Sequence, residues 1–332
     1  MPAQKFARGF TKIAREGGPD LTDLRGFPEP FNDTMESYEQ GQSSGSTKRT
    51  RPSGTVRKTK TTGPYDRNFE SILEAGGIYS YPYIGPKKPF SIVPTNIDEM
   101  REIADQPRAS VSAETYPESR FQKFRRAIAS ANFETEVVAS VVPTLEGGNG
   151  SARLGNSNIT FSNLAPLIDG GLDQIVLSKA TPDLLYGSSF ECLDERIRQN
   201  LSSQVLPTLD IEKPIAPNFF LELKGPEGHQ RVADRQALYY GALGERGQIA
   251  LRSWGHDQPV LDGSAHTITC TYISGMLIFY SIHASLVETP KRGIEYFMYA
   301  IECYIMHVSA SQYRKGIAAY QNLREYAEEK RN

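Results

Sequence analysis

The sequence predicts an α/β protein, a mixed central sheet flanked by helices, preceded by an arm with no fold of its own. Three observations carry this. In the segment 218–225, Asn-Phe-Phe-Leu-Glu-Leu-Lys-Gly, alternation puts Phe219, Leu221 and Leu223 on one face and Phe220, Glu222 and Lys224 on the other, the pattern of a strand buried on both sides. Phe121, Phe124, Ile128, Ala131, Val138 and Val142 recur at three- and four-residue steps, which predicts one long helix over about 117–142. Residues 1–64 are dominated by Gly, Ser, Thr and Pro with apolar residues scattered without period, so they lack the surface to bury a core and read as disordered.

The chain has 332 residues with 37 basic and 39 acidic side chains, a formal net charge of −2. A globally basic surface is excluded, so any nucleic-acid site must be a local patch. One such patch is in the arm: Lys48, Arg49, Arg51, Arg57, Lys58 and Lys60 run without an acid, a pattern that reads as a nuclear-import signal, a phosphate-binding tail or a solvated linker. Lys5, Arg8, Lys12 and Arg15, interleaved with Phe6, Phe10 and Ile13, form either a basic amphipathic helix or a short solvated arm. Cys192, Cys270 and Cys303 are odd in number and widely spaced, which suits neither a disulfide framework nor a zinc site and points to a reducing compartment. The apolar tract at 273–287 is too short and too polar to span a bilayer, and no secretory h-region opens the chain. The expectation is an intracellular protein, nuclear or cytoplasmic, with no membrane partner.

The other elements follow in order. Residues 65–116 form a mixed segment packing on the core, with short helices over 70–75 and 97–104, the second capped by Asn96. Between them Tyr79, Tyr81 and Tyr83, with Pro82, Pro86 and Pro89, suggest an extended stretch. The core domain spans about 117–330. Gly147-Gly148-Asn149-Gly150 ends the long helix with turn chemistry. Strands are expected over 159–161 and 174–177, then a helix over 190–205 with Ser188 and Glu191 as its capping box. After the central strand come a turn at 225–228, a helix from Arg231, and strands over 248–254, 266–273 and 276–283. Ser274-Gly275 joins the last two as a hairpin. Residues 294–306, apolar nearly all round, read as a buried helix. Ser309 and Gln312 then open a final helix to about 330, with Tyr313, Ile317, Tyr320 and Leu323 inward and Arg314, Lys315, Arg324 and Lys330 outward.

Within this frame Glu222 and Lys224 point the same way from a strand too apolar for the surface, and unpaired buried charge is expensive. Asp183 follows Pro182, and Gln236 and Tyr240, four apart, share a helix face. On the long helix, Glu134 lines up with Ala127 and Val141, while Glu136 lies beside Arg125, Asn132 and Ser140, so Glu134 is the better inward acid. The plain reading of Glu222 and Lys224 is a structural ion pair.

The ordered set, Pro-Asp at 182–183, Glu-x-Lys at 222–224 and Gln-x-x-x-Tyr at 236–240, resembles the PD-(D/E)XK nuclease superfamily, in particular its RecB-type branch. The stretch from about Pro117 to Ala327 is also similar to uncharacterised fungal proteins assigned this domain. The resemblance implies a restriction-endonuclease-like core that uses Mg²⁺ or Mn²⁺ to cleave DNA or RNA. It implies Asp183, Glu222 and the Leu223 carbonyl as metal ligands, and Lys224, Gln236 and an acid on the first helix, here Glu134, as catalytic partners. Tyr240 and Arg235 are expected to contact the substrate. The 38 residues between Asp183 and Glu222 exceed the link usual in that superfamily, a departure that bears on Asp183. Two other readings are open: a catalytically inactive nuclease fold that binds nucleic acid or a protein partner, and an α/β interaction module in which the motif is coincidental.

Overall fold

The computed structural model describes residues 60–83, 92–147, 155–168, 175–289 and 292–331; the basic residues at 48–58 and the first fifteen residues lie outside that set. The strands are β1 (Lys60–Thr62), β2 (Ile78–Tyr79), β3 (Gly155–Ser157), β4 (Ile175–Leu177), β5 (Leu184–Ser188), β6 (Ile215–Leu223), β7 (Thr267–Ile273), β8 (Met276–Thr289) and β9 (Arg292–Ile305). The helices are α1 (Phe69–Ala75), α2 (Ile97–Asp105), α3 (Glu118–Ser130), α4 (Glu134–Leu145), α5 (Glu195–Asn200), α6 (Ser202–Val205), α7 (Gln230–Arg252) and α8 (Ala310–Arg331). Seven strands form one mixed sheet in the order β2-β9-β8-β7-β6-β5-β3, and β1 pairs with β4 in a separate ribbon.

The alternation in β6 builds both halves of the core. Phe219, Leu221 and Leu223 pack into one layer with Phe121 and Phe124 of α3, Val137, Val141 and Leu145 of α4 and Tyr313, Ile317 and Tyr320 of α8. Phe220 packs into the other, with Phe69 and Leu73 of α1 and Leu238, Tyr239 and Leu243 of α7. Strands β6 and β7 are parallel, so the chain needs a crossover, and α7 supplies it. Helix α7 lies close on the sheet because Gly241 and Gly244 leave room: a Cβ there would stand 2.4 Å from Ile282 Cγ1 and 2.7 Å from a Phe220 ring carbon. The glycines thus serve a close approach to the sheet, and the helix runs on past them to Arg252.

That run-on corrects the strand expected at 248–254, which is the last turn and a half of α7 and the residues after it. The helix expected at 294–306 is strand β9, paired with β8 along its length. An apolar run does not separate a buried strand from a buried helix by period alone, and here the neighbouring strand decides. The helix expected at 117–142 breaks at 131–133 into α3 and α4. Residues 159–161 form no strand, and 190–205 divides into a 3₁₀ turn, α5 and α6, with Asp194 rather than Ser188 capping α5 through a 2.8 Å bond from the Arg196 N–H. Asn96 precedes α2 but does not cap it; its amide spans Ala265 and the Tyr326 hydroxyl. Arg324 is buried, not outward, and pairs with Glu146, which also accepts from the Tyr320 hydroxyl at 2.9 Å. Strand β1 lies inside the stretch expected to lack order, and Thr62 is buried. The hairpin at Ser274-Gly275 and the Ser309 cap, which accepts from the Gln312 N–H at 3.2 Å, stand as expected.

Candidate functional site

Strand β6 delivers Glu222 and, one residue past its end, Lys224 onto the face shared with α7. Strand β5 runs antiparallel beside it with Leu184 opposite Leu221 and Leu185 opposite Phe220. Continuing that register by one residue sets Asp183 opposite Glu222, and directly opposed side chains in a sheet have Cβ atoms about 4.5–5.5 Å apart. The long link from β5 to β6 therefore leaves the pairing intact, as expected when loop closure costs grow slowly with length. Asp183 Oδ2 accepts from the Leu223 N–H at 2.7 Å. The Lys224 N–H turns to the other neighbour, donating to the Tyr272 carbonyl of β7. By strand alternation the Leu223 carbonyl shares the edge of its own N–H and faces the Asp183 side.

Glu222 is 2 % exposed and Lys224 4 %. Lys224 Nζ donates to Glu222 Oε1 at 2.7 Å and stands 3.9 Å from Glu134 Oε2. Among the described residues, Glu222 Oε2 is buried with no hydrogen-bond donor. Burial, and then the facing Asp183, push the Glu222 carboxyl up to about 8. Burial likewise raises Asp183, against the opposing effects of the Leu223 N–H and Lys224. Burial works against the Lys224 ammonium, yet Glu222 and Glu134 outweigh it and hold its pKa above the ordinary value. The pair of carboxylates is thus short of positive charge, while the lysine stays charged.

Glu134 reaches the site because the helix breaks. It is the first residue of α4, where Glu136 closes the helix end by accepting from the Asn132 and Phe133 N–H groups at 2.6 and 3.3 Å. Gly225 lets this end approach: a Cβ on it would lie 3.0 Å from the Glu134 nitrogen and 3.2 Å from its Cα. Glu134, not Glu136, is the acid beside Lys224.

On α7, Gln236 donates to the Tyr240 hydroxyl at 3.2 Å, and Tyr240 donates to the Thr181 carbonyl at 3.4 Å, two residues before Asp183. Gln236 Oε1 is buried without a donor among the described residues. Tyr240 is buried, so its hydroxyl braces the Asp183 turn from inside instead of facing a substrate as expected. Burial, then the nearby Glu222 carboxylate, raise its pKa. Arg235 also departs from its expected part. Its Nε and Nη2 pair with Glu70 Oε2 at 3.3 and 3.2 Å, and its Nη1 donates to the Pro64 and Asp66 carbonyls. It anchors the segment 64–70 to α7.

Sequence reasoning missed the continuation of this polar row across the sheet. Thr271 of β7 lies opposite Glu222 and accepts from Gln230 at 3.4 Å; Gln230 also donates to Asp234 at 2.7 Å, as Tyr280 does at 2.9 Å. Burial raises the Asp234 pKa. Only the pairing of β6 with β7 brings these residues together, and no motif marks them.

No known protein family, curated protein or solved structure matches this chain. Among the described residues no helix is long and apolar enough to cross a membrane, and no group of three or more His, Cys, Asp or Glu side chains is poised around a metal position.

Proposed function

We propose that this protein is a divalent-metal-dependent hydrolase of phosphodiester bonds in nucleic acid, with a core of the restriction-endonuclease-like, PD-(D/E)XK type. The observation that carries the reading is the opposition of Asp183 and Glu222 across β5 and β6, with Lys224 on the face of Glu222. The site fits a hard cation. Glu222 Oε2 is a buried acceptor without a donor, and both carboxyl groups are held above their ordinary pKa values by burial. Asp183, Glu222 and the Leu223 carbonyl would hold the ion; two carboxylates suffice for Mg²⁺, which keeps several waters of its own. When bound, such an ion polarises a phosphodiester and lowers the pKa of a coordinated water.

The chain's own groups supply the rest. Lys224, charged and almost fully buried, offsets negative charge on a phosphate held next to Glu222. Glu134, 3.9 Å from that ammonium, aims it. Gln236 and Tyr240 fix the turn that carries Asp183. The test is purified full-length protein with Mg²⁺ or Mn²⁺ against a panel of DNA and RNA substrates, alongside Lys224→Met. Wild type is expected to cleave only with metal, and Lys224→Met to cleave about 10²- to 10³-fold more slowly, the scale for loss of one charge-stabilising donor. No cleavage of any substrate, with melting temperatures unmoved by metal, would end the reading and leave a structural Glu222–Lys224 pair.

A further inference from the structure

A cleft of about 610 Å³ opens between α3, α4 and α8, and hydrolysis as described does not use it. Its size is ordinary for a small-molecule site. Two cations line it, Arg120 and Lys123, with the hydroxyl residues Ser140 and Thr144 facing them from α4. Phe124, Ala127 and Ala139 supply the apolar part of the wall, and among the described residues no acid lines it. Helical spacing makes the arrangement. Arg120, Lys123, Phe124 and Ala127 stand three, four and seven residues apart on one face of α3, and Ser140 and Thr144 stand four apart on α4. Phe124 turns into the core, where its ring centre is 5.0 Å from that of Tyr313. Two alanines, Ala127 and Ala139, fill little of the gap between the helices.

The arginine is held in place. Its guanidinium carbon stands 3.8 Å from the centre of the Tyr116 ring, and its Nη1 donates to the Thr115 carbonyl at 3.3 Å. Tyr116 is fixed in turn: its hydroxyl donates to the Thr144 carbonyl at 3.4 Å, and its carbonyl accepts from Arg314 at 3.2 Å. A guanidinium seated on its flat face keeps its edge for a two-pronged contact, and phosphate oxygens match that fork. Neither Arg120 nor Lys123 pairs with a carboxylate among the described residues. Glu118, the one acid of α3, accepts from Gln122 at 2.8 Å instead. A second observation points the same way. Tyr313 belongs to the wall of the cleft, and its hydroxyl is buried with no hydrogen-bond partner among the described residues. Buried hydroxyls are nearly always matched, so this one calls for an acceptor that the chain does not supply.

We propose that this cleft binds a small organic phosphomonoester, its phosphate between Arg120 and Lys123 and its apolar body against Phe124, Ala127 and Ala139. A phosphomonoester carries a charge of about −1.5 to −2 at pH 7, which two cations balance and a singly charged carboxylate or sulfate ester does not. The site stands apart from the acids at the end of β6: at the rise of an α-helix, Thr144 is about 15 Å along α4 from Glu134. The proposal therefore does not rest on the hydrolase reading.

The experiment is isothermal titration calorimetry of the full-length protein in a phosphate-free buffer with EDTA, which keeps metal out of the measurement. The probes are phenyl phosphate, inorganic phosphate and phenyl sulfate, which keeps the body and carries one charge. Phenyl phosphate is expected to bind at one site, more tightly than inorganic phosphate and at least about tenfold more tightly than phenyl sulfate. Lys123→Ala and Arg120→Gln are each expected to weaken it by about 10- to 150-fold, the range for loss of one charge-assisted hydrogen bond. Lys123 is exposed, so Lys123→Ala should melt like wild type even if Arg120→Gln does not. Arg125→Ala removes the same charge from the far side of α3 and is expected to bind like wild type. A short DNA strand, with and without a 5′-phosphate, separates the other source of the same chemistry; removing that phosphate is expected to leave strand binding unchanged. No saturable heat with phenyl phosphate up to about 10 mM, phenyl sulfate bound equally well, Lys123→Ala within about twofold of wild type, or Arg125→Ala as weak as Lys123→Ala overturns the proposal. So does a 5′-phosphorylated strand that binds more tightly than phenyl phosphate and loses that advantage in Lys123→Ala, because the occupant is then a strand end. Cleavage with Mg²⁺ decides the hydrolase reading separately in every case.

Discussion

Replacing Glu222 with glutamine is expected to stabilise the metal-free protein. In the folded state the Glu222 carboxyl is held at about 8 against 4.5 when free. Between those values the folded chain keeps a proton that the unfolded chain has released, so wild-type stability falls as pH rises from about 4.5 towards 8. At pH 7 the ceiling on that cost is the 2.5 pH units above a free carboxyl, about 3 kcal/mol. The amide removes the cost. It also replaces the largely protonated carboxyl that accepts the 2.7 Å bond from Lys224 with an amide, a loss of up to about 1 kcal/mol. The net gain is about 2 kcal/mol at pH 7, an increase of about 4–8 °C in melting temperature for a domain of this size. Towards pH 4.5 the gain vanishes, because the unfolded chain takes up the proton that the folded chain already holds. Differential scanning fluorimetry in EDTA from pH 4.5 to 8 measures this directly. With Mg²⁺ the order should reverse at pH 8, because wild type keeps its ligand and the amide is a poor one for a hard cation. A Glu222→Gln protein that melts far below wild type at pH 8 in EDTA would refute the argument, since a structural ion pair predicts a loss of about 3–5 kcal/mol.

Three further outcomes follow from the same geometry. Gly225→Ala puts a Cβ 3.0–3.4 Å from the backbone and Cβ of Glu134, so it should cost about 1–3 kcal/mol by overpacking and slow metal-dependent cleavage by moving Glu134 from Lys224, read by melting and by kcat. The increase in melting temperature on adding Mg²⁺ should be larger at pH 8 than at pH 6, because the ion competes with the proton on the raised Asp183 and Glu222 carboxyls; an equal shift at both pH values counts against those ligands. Glu146→Ala strips the acceptor from Tyr186, Tyr320 and Arg324 and should cost about 3–5 kcal/mol by urea unfolding without altering metal response.

Much of the site was legible because a strand has a strict period. Once 219–223 is a strand, Glu222 and Lys224 must share a face, and that required no tertiary information. Asp183 was legible only as a motif; its position opposite Glu222, 38 residues further along the chain, is a matter of register between β5 and β6. In the sequence Glu134 is the inward acid of a continuous helix, by its small or apolar neighbours Ala127 and Val141 seven residues away. It is beside Lys224 for another reason: the helix breaks at 131–133 and presents it at a new N-terminus, against a glycine. Residues 248–254 do not read as helix in the sequence because Gly241, Gly244 and Gly247 just before them argue locally against one, while packing against Phe220 and Ile282 favours it, and packing outweighs propensities of about 1 kcal/mol. Tyr240 and Arg235 were assigned to substrate from the motif alone, which carries no information on what covers a side chain.

The buried acids of this chain differ in what surrounds them, and the difference separates scaffold from site. Glu245, fully buried and also held at about 8 by burial, accepts from Arg252 at 3.3 Å and from the His266 N–H at 3.2 Å, so both its oxygens are used in tying α7 to the start of β7. Glu146 receives two tyrosine hydroxyls and an arginine. Each of these carboxylates brings layers together, and a cation would add nothing that its donors do not supply. At the end of β6 two carboxyl groups share one ammonium, Glu222 at 2.7 Å and Glu134 at 3.9 Å from Lys224 Nζ, and the register of β5 sets Asp183 opposite Glu222. Glu222 faces a second carboxylate with one of its oxygens empty of donors. A scaffold does not need that arrangement: an apolar pair of the same volume would pack there as stably or better. Stability is sacrificed in this way where function needs the charge, and the proposed divalent cation would account for it, because an ion held by Asp183 and Glu222 would displace the proton that burial keeps on Glu222.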